Sequence, residues 1–201
     1  MSSANDAARL RESAVTARLQ TPRLVVRLAA EAEAAAVVDY FARNRAHLGP
    51  WEPRHPDEFY SQDYWHDRLA LYKLEALEGR GWRAMVYERD RPERVIGTVS
   101  ITNVVRGALQ GANLGYGLDG ELQGRGYMRE ALEAVVAFAF DTLGLHRLEA
   151  NYRPENARSG LLLKRLGFVP QGFARDYLLI DGAWRDHVLT ARVNAIWKPQ
   201  E

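Results

Sequence analysis

Between Arg23 and Leu28 the chain reads Arg-Leu-Val-Val-Arg-Leu, a β-branched centre with basic flanks that predicts a strand with one buried face behind the turn-prone Thr21-Pro22. From Glu31 the apolar period lengthens. Ala34, Val37, Val38 and Phe41 fall on one helical face, Arg43 and Arg45 complement the helix dipole, and Gly49-Pro50 stops the pattern. The prolines of Trp51-Glu52-Pro53-Arg54-His55-Pro56 exclude helix there. A second helical pattern runs from Gln62 to Glu78 on Trp65, Leu69, Tyr72 and Leu77. Strand patterns follow at 82–88, 94–104 and 113–118, with Asp90-Arg91-Pro92-Glu93 read as the first loop and Arg106-Gly107 beginning the second turn. The clearest helical stripe is Met128, Leu132, Val135, Val136, Ala139 and Leu143, ending at Gly144. A short strand at 146–152, a leucine-rich helix stopped by Gly167, and two strands around the hairpin signal Asp181-Gly182 complete the series.

This order, β-α-α-β-β-β-α-β-α-β-β, has no internal repeat and no linker. It predicts a single α+β domain with a mixed, mostly antiparallel sheet and helices on both faces, over residues 19–198, behind a loosely ordered N-terminal tail at residues 1–18. With 201 residues, 47% of them hydrophobic, one core can form without metals or disulfides. The 27 basic side chains nearly cancel 26 acidic ones, which removes a general basic footprint for nucleic acid. The absence of cysteine excludes disulfides, thiolate nucleophiles and cysteine-built metal sites, and suits a reducing cytosol. No apolar run approaches the ~18 residues of a membrane span, and Asp6, Arg9, Arg11 and Glu12 interrupt any secretory signal. A cytoplasmic protein is expected, with neither membrane nor sequence-specific nucleic acid as partner.

The segment Gln123-Gly124-Arg125-Gly126-Tyr127-Met128 lies between a strand and the strongest helix. Helix starts expose unpaired amides and glycines let an anion come close, so the loop suits a diphosphate. A glycine-rich helix start without a ligand is the alternative at this point. The dinucleotide fingerprint would follow the first strand of a parallel fold, and the Gly-x-x-x-x-Gly-Lys-Ser/Thr loop is absent.

Gln123 and Gly126 match the Gln/Arg-x-x-Gly-x-Gly/Ala loop with which the GNAT N-acetyltransferases bind acetyl-coenzyme A, with Met128 in place of the small sixth residue. Asn156-Ala157-Arg158-Ser159 and Leu166-Gly167-Phe168 are similar to that family's Asn-x-x-Ser/Ala helix and its ending. Pro50-Trp51-Glu52-Pro53, Leu114-Gly115-Tyr116, Ala150-Asn151-Tyr152 and the stretch from Asp176 to Ala191 resemble its RimJ/RimL branch, the likeness spanning residues 16–198. The resemblance implies acetyl-coenzyme A as cosubstrate and no metal. It implies that the third and fourth central strands splay apart to seat the pantetheine arm. The backbone of Tyr116, Gly117 and Leu118 would bind that arm, Gln123, Gly124, Arg125, Gly126, Tyr127 and Met128 the pyrophosphate, and Asn151, Asn156 and Ser159 would approach from beyond. An amide near Leu118 would hold the oxyanion. The implied reaction moves acetyl to the N-terminal alanine amine of a ribosomal protein by direct attack on the thioester, with the small ribosomal subunit as an expected partner.

A thioester is already activated, so a neutral amine held in line can attack it. An α-amine, with a pKa of about 7.7–8.0, is partly neutral at cellular pH, whereas a lysine amine near ~10.4 is not. Many relatives protonate sulfur from a tyrosine on the helix where this chain has Leu163, which leaves Ser159 as the nearest group. Many also carry Glu where Asn113 stands, which leaves Glu52 and Asp176 to draw the amine and relay its proton. His187, beside Arg185 and Asp186, is expected as a hydrogen-bonded structural histidine, and Trp51, Tyr60 and Trp65 as core or groove wall. Two other readings stay open. One is a small-amine or antibiotic N-acetyltransferase, which the positive charge of Arg106 and Arg185 disfavours. The other is a non-catalytic acyl-coenzyme A-binding ribosome-assembly factor.

Overall fold

The computed structural model describes residues 12–199, and its strands join into one eight-stranded sheet. In chain order they are β1 (Arg18–Gln20), β2 (Leu24–Arg27), β3 (Trp82–Glu88), β4 (Arg91–Val105), β5 (Gly111–Leu118), β6 (Arg147–Glu149), β7 (Val169–Ile180) and β8 (Ala183–Val193). In space the order is β1-β2-β3-β4-β5-β6-β8-β7, antiparallel throughout except for β5 and β6. The longer helices are α1 (Ala34–Arg43), α2 (Gln62–Leu77), α3 (Tyr127–Ala137) and α4 (Ala157–Arg165).

The helices cover both faces, and the two faces differ in composition. On one, α3 presents Met128, Leu132, Val135 and Val136 to Ile96, Val99 and Ile101, an aliphatic core in which each fully buried side chain contributes about 1.5–3 kcal/mol. On the other, α1 and α2 bring Tyr40, Phe41 and Trp65 against Phe59 and Tyr87. Buried indoles keep a partner for their N–H: Trp65 donates to the Phe59 carbonyl at 2.7 Å, and Trp82 to the Ala14 carbonyl at 2.9 Å.

All eleven expected elements are present, and the differences have local causes. β1 is an added edge strand paired to β2. Residues 1–11 of the expected loose tail lie outside the described residues, but residues 12–16 are helical, and Ala14 is buried against the aliphatic core. The first helix breaks at Asn44, whose side-chain amide bonds the Tyr40 carbonyl at 2.9 Å, and a separate turn, Arg45–Leu48, follows. The first hairpin is tighter than its charged sequence suggests: Glu88 already pairs with Arg91, so Arg91, Pro92 and Glu93 belong to β4. The third helix ends in a widened turn, Phe138–Thr142. Asp181 (φ +48°) and Gly182 (φ +73°) turn the last hairpin as their sequence predicts.

One feature of the sheet creates the site. β5 and β6 pair only through Gly111–Asn113 and Arg147–Glu149. Beyond Glu149 the chain stays with β8, through Ala150 to Thr190 and Tyr152 to Val188, while β5 continues alongside β4 to Leu118. The two halves of the sheet therefore separate at Leu114, and the edge of β5 beyond it faces an opening.

Candidate active site

A cavity of about 460 Å³ occupies this opening. Its β5 wall is Leu114, Gly115 and Tyr116, and its opposite wall is Asn151, Tyr152 and His187. Asn156 and Ser159 of α4 close one side, and Phe41, Phe59, Trp65 and the loop carrying Glu52 and His55 close the other. The small residue at 115 follows from crowding: a Cβ there would stand 2.8 Å from Ser100 Oγ.

At the α4 side, Asn156 caps the helix by accepting the Ser159 amide at 3.1 Å, which fixes the Ser159 backbone. The Ser159 hydroxyl lies 2.7 Å from the Tyr116 phenol. Burial pushes that phenol up to about 12, against the opposing pull of Ser159. Asn151 accepts the Thr190 amide at 3.1 Å and donates to the Tyr177 hydroxyl at 3.3 Å.

The glycine loop adjoins this wall. Arg158 of α4 donates to the Gln123 side-chain oxygen, and Gln123 also meets His47 at 2.9 Å. Gly124 (φ +76°) and Gly126 (φ +80°) both adopt the left-handed region, and no atom stands within 4 Å of the Cβ site at Gly124. The first-turn amides of α3 have no acceptor within the helix. Met128, the departure from the small-residue pattern, is buried in the aliphatic core, so its side chain does not narrow the loop. Beneath the loop, Arg23 donates to the Arg125 carbonyl at 3.0 Å and pairs with Glu130 at 2.6 Å. Behind it, Asp119 takes Arg43 at 3.0 Å and Arg94 at 3.2 Å, and Asn44 accepts the Gly120 amide at 3.0 Å. Burial pushes Asp119 upward, but the Arg43 hydrogen bond, the Glu121 amide and the charges of Arg43 and Arg94 outweigh it and hold the carboxyl below its ordinary value. An open glycine cradle, a helix N-terminus and an unpaired strand edge fit a pyrophosphate followed by an extended amide-bearing arm.

At the far wall, Glu52 is half-buried, with His55 Nε2 3.1 Å from its carboxylate and the His55 ring stacked on Phe59. The loop is fastened by the Asp181 amide to the Glu52 carbonyl at 3.0 Å, by Arg54 to Asp181 at 3.2 Å, and by Arg153 to the Pro50 carbonyl at 2.6 Å.

Among the residues singled out by sequence, Glu52, Tyr116, Asn151, Asn156 and Ser159 line the one cavity. Gly117 and Leu118 continue β5 from it toward the glycine loop and are not among the residues that line the cavity. Asp176 is not brought to the cavity. It stands exposed at a bulge in β7 with φ +46°, its amide donating to Asp186 at 2.9 Å. Asn113 lines a separate cavity of about 110 Å³ with Arg147 and Glu149. Neither Arg106 nor Arg185 lines the main cavity; the arginines that do are Arg83 and Arg153. Sequence reading missed His55 and the Tyr116–Ser159 contact, and it read His187 as a hydrogen-bonded structural histidine without locating it on the cavity wall. His187 is buried on the cavity wall, its Nδ1 donating to the Arg185 carbonyl at 3.0 Å. Among the described residues no cluster of metal-binding side chains occurs, and no helix is long and apolar enough to cross a membrane.

A family model for the acetyltransferase (GNAT) domain matches residues 23–169. The chain is 44% identical over 182 residues to the ribosomal protein uS5-alanine N-acetyltransferase of Escherichia coli, covering 90% of this chain and 93% of that protein. The crystal structure of a ribosomal-protein-S5-alanine acetyltransferase from Vibrio fischeri is similar with a TM-score of 0.87 and 37% identity, over 91% of this chain and all of that one (100%). RimJ of Mycobacterium smegmatis, solved with a coenzyme A disulfide, is similar with a TM-score of 0.80 and 33% identity, over 88% of this chain and 84% of that one.

Proposed function

The chain belongs to the GNAT acetyltransferase family, and for this acetyl-coenzyme A-dependent N-acetyltransferase we propose that the acceptor is the N-terminal alanine amine of a small-subunit ribosomal protein, modified in the cytoplasm by the domain at residues 19–198. The observation that carries the reading is the single cavity with the half-buried carboxylate of Glu52 on one wall and the Ser159 hydroxyl on the other. Coenzyme enters from the Gln123–Met128 loop and lies along Tyr116, Gly117 and Leu118, with Asn151, Asn156 and Ser159 on its far side. Acceptor enters past Glu52. Once bound, acetyl-coenzyme A supplies an activated acyl group.

The residues of this chain do the remaining work. Glu52 attracts an α-ammonium and, with His55 against its carboxylate, receives the proton that the nitrogen must lose. A β5 amide beside the cavity stabilises the oxyanion. Ser159 offers its hydroxyl to the departing sulfur. The aromatic wall of Phe41, Phe59 and Trp65 favours a small first side chain such as alanine. A polycationic small molecule is disfavoured, because Glu52 is the one carboxylate among the residues lining the cavity and Arg83 and Arg153 line it too.

The experiment is thiol release from acetyl-coenzyme A with and without a peptide beginning in alanine, followed by intact-mass analysis of the product. Release that accelerates with the peptide, and one acetyl group at its N-terminus, is the expected result. Binding of coenzyme without turnover on any N-terminal peptide would instead favour a non-catalytic factor.

A further inference from the structure

Resting on the reading above that Ser159 faces the leaving sulfur, we propose that Tyr116 is a positioning residue of the reaction, whose phenol donates to Ser159 Oγ and so leaves the serine's own hydrogen free to point at the sulfur.

The geometry supplies the first reason. The two oxygens are 2.7 Å apart on walls of one cavity, Tyr116 from β5 and Ser159 from the first turn of α4. A hydroxyl has one hydrogen and two lone pairs. If Ser159 donates to Tyr116, its hydrogen is spent; if Tyr116 donates, that hydrogen remains available. The backbone of Ser159 is already fixed by the Asn156 cap, so the hydroxyl rotor is the freedom left to settle.

Hydroxyl chemistry favours the second arrangement. A phenol is the stronger hydrogen-bond donor and the weaker acceptor of the two hydroxyls, and this one, which burial pushes up to about 12, keeps its hydrogen at any working pH. The Ser159 oxygen is the acceptor in reach. The helix offers no second hydroxyl of its own, because Leu163, one turn on, is buried in the aliphatic core. The packing is close on the other side as well: a Cβ at Gly160 would stand 2.7 Å from the Tyr152 ring, so α4 begins wedged against two tyrosines.

The same magnitude decides what Tyr116 does not do. A thiol near ~8.5 is a far stronger acid than this phenol, so the phenol does not surrender its proton to a thiolate. In the transfer, the C–N bond forms, the C–S bond breaks, and its electron pair leaves on sulfur. The proton lost by nitrogen is the one sulfur finally gains, by way of Glu52 and solvent. Tyr116 and Ser159 hold their hydrogens before and after: Ser159 donates to the developing thiolate, and Tyr116 donates to Ser159.

The test uses the full chain with Tyr116→Phe, Ser159→Ala and the double variant. Coenzyme A is bound to each, and the thiolate absorbance is followed against pH. The bound thiol is expected to titrate about one pH unit higher in Tyr116→Phe than in the wild type. In turnover, kcat is expected to fall about tenfold with little change in KM for acetyl-coenzyme A, and the double variant to be no slower than Ser159→Ala alone. A fluorotyrosine at position 116, of nearly the same shape but more acidic, is expected to lower the bound thiol's titration point further, which keeps the test alive if the Phe variant folds poorly. Tyr116→Phe matching the wild type in both readouts, or losses that multiply in the double variant, would overturn the proposal. A wild-type chain that binds coenzyme but acetylates no N-terminal amine would overturn the functional reading instead, and the thiol titration would still judge Tyr116.

Discussion

Asp119, with 2% of its surface exposed, is gripped by two arginines behind the glycine loop, whereas Asp181, at the other end of the cavity, meets the well-exposed Arg54 in solvent. Around the loop the supports are backbone geometry and side-chain bonds beneath and behind it: left-handed Gly124 and Gly126, the buried Asn44 on Gly120, Asp119 with Arg43 and Arg94, and Arg23 with Glu130 at a partly exposed rim. Around Glu52 they are one backbone hydrogen bond from Asp181, Arg153 on the Pro50 carbonyl, and the surface ion pair of Arg54 with Asp181. On the proposed reading, the end that would receive the diphosphate is built before the ligand arrives, and the end that would receive the acceptor is held by contacts that cost less to rearrange.

Replacing Asp119 strikes the stiff end hardest. Asp119→Ala leaves Arg43 and Arg94 facing each other without their carboxylate, and is expected to lower stability by about 2–3 kcal/mol, below the full cost of a wholly buried pair because both arginines are partly exposed. Chemical denaturation measures this, and acetyl-coenzyme A affinity should fall with it. Unchanged affinity in the folded variant would mean that the loop does not depend on its brace. Next in size is Gly126→Val. The Cβ site has room, its nearest neighbour being Arg23 Nη2 at 3.5 Å, so the expected penalty comes from φ +80°. That conformation costs an ordinary residue about 1–2 kcal/mol and a β-branched one more, which weakens acetyl-coenzyme A binding about tenfold or beyond in a calorimetric titration.

The same contrast explains what could be read from the chain alone. Periodicity and turn chemistry are local, so the eleven elements, the Asp181-Gly182 turn and the Gly167 helix stop were legible. The loop motif was legible because its glycines serve the backbone. What sequence could not supply were meetings between distant segments. Nothing near Asp119 announces Arg43 and Arg94, and nothing near Tyr116 announces Ser159, 43 positions on. Asp176 shows the converse error. A carboxylate on a late strand suggests chemistry, but the irregularity between Ala174 and Leu178 gives Asp176 a turn-like φ and leaves it in solvent. His187 was assigned to a hydrogen bond correctly in kind. Its acceptor is the Arg185 carbonyl, and its location on the cavity wall depended on how β8 pairs with β7.

A smaller effect sharpens the comparison through pH. Burial pushes Glu130 upward, but hydrogen bonds from Thr21, the Arg23 amide and the Arg23 guanidinium prevail and hold the carboxyl below its ordinary value. A carboxylate shifted downward on folding adds stability above its unfolded pKa of about 4.3, and that stability is lost as pH falls through the folded value. Glu130→Gln should therefore be less stable than the wild type at pH 6 to 7, and the gap should close as denaturation curves are taken below about pH 4. A gap that stays constant down to acid pH would show that Glu130 acts by packing alone.

The smallest stability effect belongs to Arg54→Ala, and it tests the loose end. The Arg54 side chain is 74% exposed and that of Asp181 48%. An ion pair that open contributes at most about 0.5 kcal/mol, or about 1–2 °C in melting temperature. The Asp181 amide would still hold the Glu52 carbonyl, so the loop keeps its backbone tether. What changes is how tightly the hairpin tip is drawn over the acceptor entrance. The expected result is a nearly unchanged melting curve, an unchanged KM for acetyl-coenzyme A and a KM for the alanine-starting peptide altered about twofold, the scale of one weak surface contact. A melting temperature lower by many degrees would mean that this end is as rigidly built as the glycine loop. In that case the division into a prebuilt coenzyme end and an adjustable acceptor end would fail.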